Sequence, residues 1–211
     1  AWEKILEAQL GDFYLKRYLE DKFNQRETAW DYVEHDPNLK SVLLIGDSIS
    51  RAYTRTVQKE LSGIANIHRA PTNCGPTSKG LRDLDIWLQD RNWDIIHFNF
   101  GIHDRNTKDS IYQKNLETII TRLKKTNAQL IWASSTPLNG SDETYPKGSM
   151  VRKNEVAASL MKNHRIPINN LYHIALPLIA TQQSGDGCHF REPANEALGR
   201  AVADVIQSCL Q

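Results

Sequence analysis

Short branched or aromatic runs at residues 41–45, 64–68, 94–100, 129–134 and 166–169 have the length and composition of buried strands. Between them, apolar residues recur at spacings of three and four, the period of one helix face. That spacing predicts helices over 50–61, around Leu81, Leu84 and Leu88, over 110–125 and over 151–163. A helical segment interrupted by Pro177 is expected at 172–181, and a last helix from about 193 to 210. Five strands alternating with helices predict an α/β fold: a single-domain, doubly wound parallel sheet with helices on both faces. The preferred strand order is 2-1-3-4-5, the flavodoxin-like arrangement, because it opens a crevice beside the first strand.

Ahead of the first strand, residues 2–23 carry Trp2, Ile5, Leu6, Leu10, Phe13, Tyr14 and Tyr18 at helical spacing, which predicts one or two amphipathic helices. They are expected to pack outside the sheet or on a partner subunit, with 24–40 as a connector. The chain thus divides into an N-terminal helical extension, 1–40, packed on a main domain, 41–211. Length supports one core rather than two, with 211 residues and no internal repeat or domain-sized linker.

Charge narrows the classes of partner. Lys plus Arg number 26 against 25 for Asp plus Glu, so no basic field points to nucleic acid. No apolar run approaches the roughly 20 residues that cross a bilayer. The first residues lack the apolar core of a signal peptide, as a mature exported chain also would. Compartment stays open, with a periplasmic or secreted location favoured over a cytoplasmic one, and oligomeric state is not set by the pattern. Three cysteines, Cys74, Cys188 and Cys209, are too few for a disulfide-built scaffold.

Reactive side chains collect where strands end. The run Val42–Ile45 stops at Gly46-Asp47-Ser48, which places Ser48 at a strand's carboxyl end and near a helix N-terminus, where unpaired N–H groups favour negative charge. A Gly-Asp-Ser turn is also an ordinary helix cap. Ser48 becomes a candidate nucleophile only with a base and an acid, since a serine hydroxyl is a poor nucleophile at neutral pH. His189 is suited to be the base, and Asp186, three residues earlier, to orient it across one helical-type turn. Asp47 and Asp104 read as structural acceptors of loop N–H groups, and His97, inside the third strand, as a hydrogen-bonded core residue. No His-x-x-x-His or paired-carboxylate spacing organises a metal site.

Four spaced blocks, Gly46-Asp47-Ser48, Gly75, Gly101-Ile102-His103-Asp104 and Asp186-x-x-His189, resemble those of the SGNH, or GDSL-type, hydrolases over residues 41 to about 200. That family consists of esterases and lipases using a Ser-His-Asp triad with no metal or other cofactor. The resemblance implies Ser48 as nucleophile, His189 as base and Asp186 as its orienter. It also implies an oxyanion hole built from the backbone N–H groups of Ser48 and Gly75 and an asparagine side chain. This chain has His103 where that asparagine is expected. An imidazole N–H is one possible replacement, which ranks His103 first, with Asn99 and Asn73 as alternatives.

The expected activity is hydrolysis of a carboxylic ester through an acyl-enzyme, most of all of an O-acetylated carbohydrate, small or polymeric. The surroundings are polar, no segment looks like a lipid lid, and the style resembles bacterial carbohydrate esterases. Arg51 and Arg105, with Tyr145 on a turn-rich rim at 139–148 read as mobile, are the candidate substrate contacts. Arg55 and Arg69 also fall near strand ends. One alternative is a lysophospholipase or thioesterase for longer acyl chains; another is a non-catalytic carbohydrate-binding protein with a degenerate site. Cys74 adjoins Gly75 and Cys188 separates Asp186 from His189, so a disulfide would tie two loops of the site together. Two buried free thiols are favoured over that bridge, and Cys209 is expected to be unpaired.

Overall fold

Side chains of the run starting at Lys40 alternate between two cores. The protein is described by a computed structural model covering residues 2–141 and 143–210, so Asp142 within the rim segment, and Ala1 and Gln211 at the termini, lie outside the described residues. The strands are β1 (Lys40–Ile45), β2 (Ala65–Arg69), β3 (Ile95–Phe98), β4 (Gln129–Ala133) and β5 (Ile168–Asn169). The helices are α1 (Trp2–Gln9), α2 (Gly11–Phe23), α3 (Ser48–Glu60), α4 (Thr77–Leu88), α5 (Asp109–Lys124), α6 (Ser149–His164), α7 (Leu171–Ala175), α8 (Ile179–Gln182) and α9 (Glu192–Leu210). A 3₁₀ turn at Leu176–Leu178 carries Pro177 and separates α7 from α8, as its missing N–H requires.

All strand pairs are parallel and the order is β2-β1-β3-β4-β5, as the alternation of strands and helices predicted. Val42 and Leu44 point into one core, with Tyr53 and Val57 of α3 and Leu198 and Val202 of α9. Leu43 and Ile45 point into the other, with Leu84 and Trp87 of α4, Leu116 and Ile120 of α5 and Met161 of α6. Both faces are covered, which is why these strands read as near-continuous apolar runs rather than as alternation. Each such fully buried side chain contributes roughly 1.5–3 kcal/mol. Chain direction reverses across the sheet between β2 and β3, leaving a crevice beyond the carboxyl ends of β1 and β3.

Two expectations are corrected at this level. The first crossover helix starts at Ser48, not at residue 50, because the Asp47 side chain caps it by accepting the Ile49 N–H at 3.0 Å. Apolar periodicity, which begins later, does not see a cap. The N-terminal helices do not pack on a face of the sheet. They gather a small core of their own, Leu6, Leu10, Tyr18 and Trp30, and sit over the carboxyl end of the sheet beside α3. The Thr72 hydroxyl, just beyond β2, donates to the Gln9 carbonyl at 2.7 Å. The Arg51 guanidinium lies 5.8 Å from the ring centroids of both Tyr14 and Trp30, and that of Arg69 lies 5.9 Å from Trp30. The connector after α2 is fastened by Asn66 of β2, whose side-chain amide donates to the carbonyls of Asp36 and Leu39.

Candidate active site

Gly46 closes β1, Asp47 caps α3, and Ser48 is the first residue of that helix. The Ser48 N–H therefore has no acceptor one turn back. Its hydroxyl is nearly buried, at 8% exposure, and lies 2.7 Å from Nε2 of His189. On the other side of the ring, Nδ1 of His189 is 2.6 Å from Oδ2 of Asp186. A carboxylate facing Nδ1 fixes the proton there, so Nε2 presents its lone pair to the serine hydroxyl. Ser48, His189 and Asp186 thus form one continuous hydrogen-bonded line.

The Asp186–His189 segment is a tight turn rather than a turn of helix. Oδ1 of Asp186 accepts the N–H groups of Cys188 and His189, each at 3.0 Å, leaving Oδ2 for the imidazole. Burial pushes the Asp186 carboxyl up, but the hydrogen bonds from the His189 ring and from these two amides outweigh it, and the group is held below the usual carboxylate range. Gly187 has a φ of +73°, and a side chain there would also run into the backbone of Gly140. That close approach joins the turn to the rim, where the Asn139 N–H donates to the Gly187 carbonyl at 2.8 Å.

The described part of the rim thus has contacts with the acid–base turn. Arg105 also contacts the rim, with Nη1 on the Ile102 carbonyl, Nε on the Thr144 carbonyl and its guanidinium 5.0 Å from the Tyr145 ring centroid. Its donors face the rim loop, not the cleft beside Ser48. Arg55 is paired with Glu27.

The β2–α4 loop approaches Ser48 from the opposite side. The Cys74 N–H donates to the Gly46 carbonyl at 3.1 Å, and Gly75 follows with a φ of +66°, a conformation that favours glycine. Among the described residues, the Gly75 N–H has no protein acceptor. Asp104 anchors the far end of this loop: its two oxygens accept the N–H and the hydroxyl of Thr77 at 2.7 Å each. Burial raises the Asp104 carboxyl, against those hydrogen bonds. Asp47 and Asp104 are thus structural acceptors, but of N–H groups in the first turns of α3 and α4 rather than in loops.

The three candidates for a side-chain donor differ in what they have left to give. Asn99 spends its amide on the Ala133 carbonyl, at 2.7 Å, and the Ser135 hydroxyl, at 3.1 Å. With both hydrogens committed inside the sheet, it has none for a ligand. His103 lies exposed on the 3₁₀ turn Ile102–Asp104 and makes no hydrogen bond among the described residues. Asn73 has its side-chain oxygen buried without a partner and its amide nitrogen uncommitted.

Arg69 supports the turn from beneath. It is 3% exposed, and its guanidinium donates to the Gly46 carbonyl at 3.0 Å, the Asp47 carbonyl at 2.9 Å and the Ser50 hydroxyl. Burial lowers its pKa, and no carboxylate pairs with it. A fixed cation thus lies under the peptide groups that carry Ser48.

His97 is fully buried with Asn169 at 3.3 Å from Nε2, and burial pushes its pKa down to about 3. It is a neutral core residue. All three cysteines are free; burial pushes the thiol of Cys74 up to about 11 and that of Cys188 up to about 12. Among the described residues, no three His, Cys, Asp or Glu side chains group to hold a metal ion, and no helix is long and apolar enough to cross a membrane.

Beside Ser48 and His189 opens a cleft of about 520 Å³. One wall is α3 with Arg51, and the facing wall is the N-terminal segment, through Tyr14, Tyr18 and Trp30. Strand-end reasoning missed Tyr14 and Trp30, because both precede the first strand. Tyr14 had one sequence signal, an aromatic stripe at helical spacing that reads equally as core, and Trp30, in the connector after α2, had none.

Neither a protein-family model nor a curated protein matches the sequence. Solved structures match in fold. A lipase/acylhydrolase from Enterococcus faecalis superposes with a TM-score of 0.71 at 20% identity, over 80% of this chain and 96% of that one. The acetyl xylan esterase AlAXEase gives 0.67 at 14% identity, over 79% of this chain and 99% of that one. Axe2, an acetylxylan esterase from Geobacillus stearothermophilus, gives 0.67 at 14% identity, over 79% and 94%. At these identities the likeness is one of architecture.

Proposed function

From a chain with the fold of the SGNH hydrolases, we propose a serine ester hydrolase that works through an acyl-enzyme, with an O-acetylated carbohydrate as substrate. The observation that carries this reading is the unbroken line Asp186–His189–Ser48, with hydrogen bonds of 2.6 and 2.7 Å, at the mouth of a cleft. Ser48 attacks the ester carbonyl while Nε2 of His189 takes its proton. Asp186 holds the tautomer and stabilises the imidazolium. The oxyanion is held by the Ser48 and Gly75 N–H groups, and His189 returns the proton to the leaving alcohol. Water then repeats the sequence on the acyl-enzyme and releases the acid.

The polar and aromatic walls of the cleft favour a sugar over a long acyl chain, and two of the solved structures named above are acetyl xylan esterases. A chain-length series of 4-nitrophenyl esters checks the acyl preference: acetate is expected to exceed octanoate in kcat/KM. The reverse order would favour a lysophospholipase or thioesterase. Absence of both ester turnover and fluorophosphonate labelling of Ser48 would favour a non-catalytic carbohydrate-binding protein.

His103 is the third oxyanion donor in this reading, since it is exposed and unpaired whereas Asn99 is committed. H103A is expected to lower kcat by about 10²- to 10³-fold with little change in KM, the loss associated with one oxyanion donor. H103N, which restores a side-chain N–H, is expected to recover most of it. A drop of that size in N73A, with H103A near wild type, would move the role to Asn73.

A further inference from the structure

Arg51 is a cation beside Ser48 that forms no ion pair among the described residues, although Asp21 lies near enough to act on its charge. It lies one turn into α3 from Ser48, and among the described residues its side chain makes no salt bridge and no hydrogen bond. Its Nε is buried and unpartnered. Burial depresses its pKa, the mark of a charge short of compensation. The other charges around the cleft are largely spoken for. Arg55 is paired with Glu27, and Asp21 with Arg26 at 3.5 Å. Exposed Arg17 adds a second positive charge to the same cleft, and Glu192 is an exposed carboxylate on it.

The rings of Tyr14 and Trp30, each 5.8 Å from the guanidinium carbon, pack against it without neutralising it. A planar fork packed in this way, with donors to spare, is suited to a carboxylate. The cleft that Arg51 faces is also lined by His189, the residue that protonates the leaving alcohol, so what enters it is the alcohol part of the ester.

We infer that Arg51, packed against the adjoining rings of Tyr14 and Trp30, forms a subsite for a carboxylate on the alcohol part of the substrate, so that the preferred ester is an O-acetylated acidic sugar of the hexuronate type. This rests on the ester hydrolase reading and names the substrate class within it.

The test compares three O-acetylated glycosides of one geometry: a hexuronate, its methyl ester and the corresponding neutral hexose. The wild-type protein is expected to favour the hexuronate over both neutral esters by roughly tenfold to a hundredfold in kcat/KM, the range of one charge-assisted hydrogen-bonding site. That preference is expected to weaken as salt is raised. R51Q is expected to reduce the ratio to within roughly twofold of unity, and R51K to keep part of it, because the charge stays while the planar fork is lost. An Arg51 that only clamps the N-terminal helices would change the melting temperature and leave the ratio as it was. A ratio near unity in the wild-type protein, or an unchanged ratio in R51Q, overturns the subsite while leaving the hydrolase reading intact. If no acetyl ester is turned over, the hydrolase reading fails and binding of free hexuronate, followed by NMR, decides the subsite separately. Weaker binding in R51Q than in wild type supports it, and equal binding overturns it.

Discussion

Ser48→Ala is expected to abolish turnover, lowering kcat on an acetyl ester by about 10⁶-fold, the scale on which a triad nucleophile is lost. The size follows from the line of hydrogen bonds. His189 has no other route to the carbonyl, and its Nε2 faces only the Ser48 hydroxyl at 2.7 Å. His189→Ala is expected to cost about as much, and the double variant little more than either, because the two groups act as a unit. The residual rate would come from the two backbone donors of the oxyanion hole, which neither substitution removes. Michaelis kinetics on 4-nitrophenyl acetate, with fluorophosphonate labelling as a second readout, measures this. Additive losses in the double variant, or a Ser48→Ala protein within tenfold of wild type, would put the chemistry elsewhere.

Asp186→Asn is expected to lower kcat by about 10⁴-fold while leaving the protein folded. One oxygen of Asp186 holds the turn through the amides of Cys188 and His189, and the other holds the imidazole. An asparagine keeps an oxygen for the turn but turns an NH₂ group toward Nδ1. The ring must then carry its proton on Nε2, where it can no longer accept the serine's. Asp186→Ala would remove both functions and also loosen the turn, so the amide is the cleaner probe. Stability has its own sign. The folded Asp186 carboxyl titrates below its unfolded value, so its contribution is present above the unfolded pKa and is lost as pH falls through the folded one. Acid unfolding of Asp186→Asn is expected to lack that component, which thermal melts between neutral pH and pH 3 would measure.

Much of this was readable from residues alone because the chemistry sits where apolar runs stop. Val42–Ile45 followed by Gly46-Asp47-Ser48 defines a strand end with little ambiguity, and the parallel order follows from strands alternating with helices. Other features depend on partners distant in sequence. The start of α3 at Ser48 rests on a side-chain cap rather than on periodicity. The contact of the rim with the acid–base turn depends on Gly187 meeting Gly140, and the loss of Asn99 as a donor depends on Ala133 and Ser135. The position of α1 and α2 was the least accessible. Their aromatic stripe specifies that something apolar is covered, and partners distant in sequence, Arg51, Arg69 and Thr72, specify where.

The separate core under α1 and α2 bears on how such a protein can diversify. Leu6, Leu10, Tyr18 and Trp30 pack with one another, apart from the two large cores that hold the sheet. Substitutions at well-separated sites combine nearly independently. Substitutions at Leu6 or Leu10 are therefore expected to reshape this outer wall of the cleft with little effect on the sheet, whereas Trp30, packed on Arg51 and Arg69, is coupled to the Ser48 turn.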